Sequence, residues 1–354
     1  MKRREFLEKA LLATGGFIIL RSKLQEDVAP QNTLANNPRI NICAIGDVTL
    51  GYFFNELYER IKKEKGAEEA LKYPFSEVAT HFLNSDITIA NLEGALTNSK
   101  VERPKGKGTR IFHFRGSPSY VLSLRKAGIE VVNLANNHFM DYGKKGALDT
   151  INALEIAGIL YVGGGKDKED ASKYKLIKKR VITLALLGYA MVGKEAPATK
   201  NTPGINPYNE KEAVNKIKEA KDNSDLVIVS IHWGYEMHIK QSREQEKAAK
   251  SMIDSGADLI LGHHPHVLQP IEWYKKSLIF YSLGNFAFGG NFYPADRNSI
   301  IGKIEAEKSG VKDFSIIPII THPGSFEIKP VINYESSNLE SILRKTNLPE
   351  SQLE

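Results

Sequence analysis

Apolar runs and helix-period segments alternate along most of the chain. The runs "INICAIGD", "DITIANLE", "IEVVNLAN", "DLVIVSIHWG" and "ADLILGHH" are short, almost continuously apolar and end on polar residues, as buried strands do. Between them, "PFSEVATHFL", "PSYVLSLRKAG", "KKGALDTINALEIAG", "EKEAVNKIKEAKD" and "REQEKAAKSMIDSG" carry apolar residues at three- and four-residue spacing, which predicts helices, several closed by glycine. Strands alternating with helices imply an α/β domain with at least partly parallel strands. The later runs "SLIFYSLGNFAF" and "SIIGKIEAE" have no helical segment between them and predict antiparallel additions at the far side of the sheet. There is no internal repeat, low-complexity segment or second core.

Each early strand hands over to residues that can bind metal or move protons: Asp47, Glu93, the run Asn136-Asn137-His138, His232, and His264 with His266. Ligands of open α/β sheets gather outside the carboxyl ends of the strands, so these residues are expected on one rim although they lie far apart in sequence. Taken singly, Asp47 in "GDVTLG" and Glu93 in "NLEG" also suit a plain turn or a helix cap. "LANNHFMDYG" says more, because Asp141 is placed to orient His138 through its ring N–H. His232 ends a strongly apolar run, and the polar Glu236 four residues on suggests a cleft wall. In "GHHPHV", an extended segment would put His264 and His266 on one face, within reach of the same or adjacent ions, and turn His263 the other way. Two carboxylates, one or two Asn and three or four His suit a two-metal hydrolytic site in which a carboxylate bridges the ions.

Composition narrows the chemistry. The 354 residues, 42% hydrophobic, are enough for one large domain or two medium ones. The 48 Lys and Arg are interleaved with 42 Asp and Glu; the net charge of +6 suits an anionic polymer or phosphoester, and the absence of a basic stripe disfavours nucleic acid. A single cysteine, Cys43, excludes an intramolecular disulfide and a cysteine-based zinc site. Mixed imidazole, carboxylate and amide donors suit one or two divalent ions, manganese, iron or zinc, better than calcium. At the N-terminus, Arg3 and Arg4 precede Phe6, Leu7 and an apolar stretch over 10–20. Residues 1–24 thus resemble a twin-arginine (Tat) export signal, followed by a linker over 25–38. An amphipathic start to a cytoplasmic protein is the alternative. Export would place the chain in the periplasm or on the outer side of the cytoplasmic membrane, either released or anchored by an uncleaved signal.

The ordered set "GDVTLG", "NLEG", "LANNHFMDYG", "IHWGYE", "GADLILGHHPHVLQPIE" and "YSLGNFAFG", spread over about 40–288, resembles the CapA (poly-γ-glutamate capsule synthesis) family of the calcineurin-like metallophosphoesterase superfamily. The resemblance implies a metallophosphoesterase-like αββα sandwich, two mixed β-sheets flanked by helices, over 39–325, with 326–354 left as a C-terminal tail. It implies metal ligands at Asp47, Glu93, Asn137, His232, His264 and His266, and makes His138 the acid that protonates the leaving group. Two positions depart from the superfamily: Thr49 stands where the first motif, Asp-x-His, has its histidine, and Glu93 replaces an aspartate. The first ion therefore loses a ligand, while the second, with Glu93, Asn137, His232 and His264, keeps its set. Two functions follow from the resemblance. One is a metal-dependent hydrolase or transferase acting on a phosphoester or amide in capsule or other envelope polymer synthesis. The other is a non-catalytic envelope protein that holds an ion and assists membrane-bound polymer synthetase subunits.

Overall fold

The first strand, β1 (Ile40–Thr49), shows why the strands read as unbroken apolar runs. Ile40, Ile42 and Ala44 point into a core between two sheets, while Cys43 and Ile45 point the other way, beneath helices. With both faces dry, no polar alternation is left. The computed structural model describes residues 39–104, 112–194, 196–291, 294–322, 324 and 327–354; the expected signal and linker, 1–24 and 25–38, lie outside them.

After β1 the chain forms β2 (Ile87–Leu92), β3 (Val131–Asn133) and β4 (Leu160–Val162), each parallel to the one before. It then builds a second sheet from β5 (Lys175–Lys179), β6 (Ile182–Ala190), β7 (Leu226–His232), β8 (Leu259–His263), β9 (Ile271–Tyr274) and β10 (Ser277–Phe280), in the order β9-β10-β8-β7-β6-β5. Four further strands return to the first sheet: β11 (Asn285–Phe288), β12 (Asn298–Glu307), β13 (Gly310–Thr321) and β14 (Pro330–Ile332). The first sheet runs β14-β13-β12-β1-β2-β3-β4, with β11 also paired to β1.

Isoleucines, leucines and valines of the two inner faces, such as Ile89, Val131, Leu184, Ile228 and Leu261, fill the space between the sheets. Each contributes roughly 1.5–3 kcal/mol by leaving water. The helices α1 (Phe53–Lys65), α2 (Val121–Ala127) and α3 (Gly143–Ala157) cover the outer face of the first sheet. The helices α4 (Glu210–Asp222) and α5 (Arg243–Asp254) cover the second. The result is the expected layering of two mixed sheets between helices. None of the described helices is long and apolar enough to cross a membrane.

Two expectations change. "SLIFYSLGNFAF" is not one antiparallel addition: it crosses from one sheet to the other at Gly284, giving β10 parallel to β8 and β11 parallel to β1, and only β12 is antiparallel to β1. Residues 326–354, expected as a tail, belong to the domain. Here β14 pairs with β13, α6 (Ser336–Thr346) buries Ile342 in the inter-sheet core, and Leu353 bridges to Ile316. This segment's apolar residues are too sparse to read as core until the sheet edge they cover is known.

Candidate metal centre

The carboxyl ends of β1, β2 and β3 meet those of β7 and β8 at one edge of the sandwich. At the end of β1, Asp47 stands level with Asn91 on β2 and Asn285 on β11. Its backbone N–H donates to Gly284 O at 2.9 Å. A Cβ on the preceding Gly46 would lie 1.9 Å from the same oxygen, so only glycine allows this approach. A line of amides then ties the two sheets together. Asn136 Nδ2 donates to Leu92 O and to Asn91 Oδ1, and Asn91 Nδ2 donates to Asp47 Oδ1 at 2.9 Å and lies 3.3 Å from His232 Nδ1.

Glu93, one residue past β2, is fully buried, and neither of its oxygens has a hydrogen-bond partner among the described residues. Nε2 atoms of His138, His232 and His266 each stand 3.8 Å from its Oε1. That is too long for hydrogen bonds and within the spread of donors that share a cation. Thr49, where the resemblance leads us to expect a histidine, donates its hydroxyl to Glu93 O at 2.7 Å.

From the second sheet, His232 and His263 stand side by side at the ends of β7 and β8. The next turn differs from the extended segment expected. His264 and His266 both have positive φ, 96° and 58°, which costs a non-glycine residue of order 1–3 kcal/mol and persists where the surroundings impose it. The two rings still converge, with centroids 5.7 Å apart, but through this turn rather than through strand alternation. His266 Nδ1 is 2.9 Å from Asn285 Oδ1 and 3.3 Å from Asp47 Oδ2. His232 Nε2 is 2.8 Å from Asn137 Oδ1. His263 is buried, but against the site: its Nδ1 lies 3.3 Å from Asp47 Oδ1.

His138 is fixed differently. Its Nδ1 is 2.7 Å from Asp141 Oδ2, which also accepts the Phe114 N–H at 2.7 Å, and the Phe114 ring stacks on the imidazole at 4.0 Å. This network assigns the proton to Nδ1 and leaves Nε2 on the Glu93 side.

Charge in the centre is unbalanced. Burial pushes the Glu93 carboxyl well above its usual range, with Asp47 adding to the effect. Burial also depresses His232 well below the usual value and His264 to about 3. Burial opposes protonation of His266 too, but the Glu93 and Asp47 carboxylates outweigh it and raise its pKa to about 10. Asp47 is held low because His263 and His266 outweigh its own desolvation.

Among the described residues, donor atoms within 4.8 Å of one another form three overlapping sets: Glu93, His232 and His264; Asp47, Glu93 and His266; Glu236, His264 and His266. With Asn137 beside His232, the first is the complete set expected for the second ion. An orphaned buried carboxylate facing three imidazole nitrogens fits divalent metal.

Residues 41–290 match the family described as "Bacterial capsule synthesis protein PGA_cap". The chain belongs to this family. It is 34% identical over 319 residues to "Capsule biosynthesis protein CapA" of Bacillus anthracis, covering 88% of this chain and 74% of that one. To "PGA biosynthesis protein CapA" of Bacillus subtilis (strain 168) it is 36% identical over 281 residues, covering 78% and 70%. Among solved structures it is similar to a 5'-nucleotidase precursor from Thermus thermophilus, at a TM-score of 0.45 and 12% identity, over 87% of this chain and 58% of that one.

In this PGA_cap chain the sequence-expected residues Asp47, Glu93, Asn137, His138, Asp141, His232, His264 and His266 all lie at one edge. Asn91, Asn285, His263 and Glu236 join them and were not picked out as site residues. Asn91 and Asn285 sit inside motifs already singled out, "NLEG" and "YSLGNFAFG", but an amide within a strand gives no sign of which neighbour it will bond.

Proposed function

We propose that this CapA-like protein is an exported, metal-dependent hydrolase or transferase acting on an anionic polymer or phosphoester during capsule, poly-γ-glutamate or other envelope polymer synthesis. The observation that carries the reading is the buried, unpaired Glu93 carboxylate facing three imidazole nitrogens, with a separately oriented His138 among them. Asp47, Glu93, Asn137, His232, His264 and His266 would hold one or two divalent ions. When bound, such ions supply Lewis acidity and acidify water to a pKa of about 7. Asp141 holds the His138 Nδ1 proton and would stabilise the ring when a second proton is carried on Nε2; that second proton is the one that would pass to the leaving oxygen or nitrogen, returning the ring to its neutral Nδ1–H form. The amide line Asn136-Asn91-Asp47 ties the ends of β1, β2 and β3 together, and Asn91 reaches His232 of the second sheet.

A second reading is favoured by Thr49, whose hydroxyl is spent on a backbone carbonyl. A centre short of one histidine could hold a structural ion in a protein that assists membrane-bound synthetase subunits. His138→Ala separates the two. Full complementation of a capsule-deficient strain with normal metal content ends the catalytic reading; failed complementation with normal metal content supports it. The twin arginine is tested separately: Arg3→Lys with Arg4→Lys should retain the protein in the cytoplasm, because lysine lacks the planar fork of arginine. An unchanged envelope fraction refutes export by this route.

A further inference from the structure

We infer that Glu236 is a metal ligand of this centre and supplies, from the second sheet, the donor that Thr49 does not. The inference rests on the metal-centre reading above and adds a residue and a position to it. Three observations carry it. A carboxylate oxygen of Glu236 and ring nitrogens of His264 and His266 lie within 4.8 Å of one another, a two-histidine, one-carboxylate set. Among the described residues, His264 Nδ1 is buried without a hydrogen-bond partner and Glu93 has none on either oxygen, so these donor atoms are not spent on one another. Thr49 is turned to the Glu93 carbonyl, so the Asp47 side of the centre is one donor short.

The loop that carries Glu236 is tied to the histidine turn rather than hanging in solvent. Trp233 N–H donates to His263 O at 3.0 Å and Met237 N–H to Pro265 O at 2.8 Å. Gln269 Nε2 donates to His238 O and Lys240 O, and the loop ends in the capping box of α5, built by Ser242 and Gln245. Glu236 is thus bracketed by bonds to the segment that presents His264 and His266. Its side chain is exposed and borders a cavity of about 500 Å³ that reaches His264 and also holds Glu244. The Glu236 position is therefore the solvent-facing one, where an ion exchanges more readily than one enclosed by Glu93, His232 and His264.

The test is a calorimetric titration of the full-length, metal-stripped protein with Mn²⁺, read alongside elemental analysis. Glu236→Gln and Glu236→Ala should each lose one ion per chain or weaken one binding step by about tenfold or more, since even outer-shell changes cost 10–100-fold. Melting temperatures of the metal-free proteins should stay unchanged, because the side chain is exposed. Glu244→Gln, which removes a charge from the same cavity, should leave the titration as it is. Unchanged binding in both Glu236 variants overturns the inference, and so does equal weakening by Glu244→Gln, which would show a diffuse charge effect. Absence of Mn²⁺ binding in the unsubstituted protein would instead overturn the metal-centre reading itself.

Discussion

Two buried carboxylates flank the His138 ring, and the fold treats them oppositely. On one side Asp141 Oδ2 accepts from the imidazole and from the Phe114 amide, both at 2.7 Å. On the other, Glu93 Oε1 lies 3.8 Å from the same ring, and neither of its oxygens meets a donor among the described residues. A buried carboxylate with no donor costs several kcal/mol when charged. On the Asp141 side the chain itself supplies two donors to Oδ2. The Glu93 side has no such donor among the described residues, and a divalent cation is what its imidazole surroundings fit.

Neutralising Glu93 should therefore have the largest effect. Glu93→Gln should weaken metal binding by more than about 100-fold, beyond the loss typical of outer-shell partners, and bring activity down to that of the metal-stripped protein. Its metal-free form should melt no lower than the unsubstituted metal-free form, because a neutral amide is cheaper to bury than an unpaired charge. Elemental analysis and calorimetry with and without chelator check both halves. Normal metal content in this variant would erase the contrast between the two carboxylates.

On the Asp141 side, the effect should fall on rate and not on metal. His138→Ala should lower turnover of an identified phosphoester or polyglutamate substrate by about 10²–10⁴-fold. Asp141→Asn, which leaves the ring in place without its orienting anion, should lower it by about 10–100-fold. Both should keep full metal content. A loss of metal in either would mean that the Asp141 side also holds the ion.

Acidity sharpens the same contrast. The pKa of His266 is raised from 6.5 to about 10, so its stabilisation of the metal-free fold is complete below pH 6.5 and is lost as pH rises toward 10. His264 is depressed from 6.5 to about 3, so its contribution is present above pH 6.5 and is lost as pH falls toward 3. The metal-free protein should then be most stable near pH 6.5 and lose a few kcal/mol on either side. Mn²⁺ must displace the His266 proton, so its affinity should rise about tenfold per unit between pH 7 and 9. Calorimetry across this range reads both, and a pH-independent Mn²⁺ affinity would show that His266 is not a ligand.

Much of this centre could be read from the sequence, because strand ends are where a parallel sheet must present its chemistry. Asp47, Glu93, His138, His232, His264 and His266 each follow an apolar run, and that signal is local. What could not be read depends on partners across the sandwich. Whether Asn91 bonds Asp47, whether Asn285 meets His266, and whether Thr49 turns to a carbonyl are set by register between strands distant in sequence. The switch between sheets within "SLIFYSLGNFAF" was hidden for the same reason. It depends on Gly284, whose φ of 71° and contact with Gly46 are invisible in an apolar run.

The smallest expected effect separates a ligand from a neighbour of a ligand. Strand alternation would turn His263 away from the ions, which predicts no metal phenotype for His263→Ala. The structure instead sets His263 Nδ1 3.3 Å from Asp47 Oδ1, while Asn91 donates to that oxygen and the His264 backbone N–H to the other. His263 is thus one of several groups that hold the Asp47 carboxylate, and it belongs to none of the three donor sets. Removing it leaves Asn91 and the backbone donor in place, so Asp47 should loosen rather than move. His263→Ala should weaken one Mn²⁺ binding step by up to about tenfold, the lower end for an outer-shell partner, with stoichiometry preserved. His264→Ala, which deletes a member of two sets, should lower the stoichiometry itself. Equal losses from the two substitutions would make His263 a ligand, and no change in the His263 variant would make its approach to Asp47 incidental.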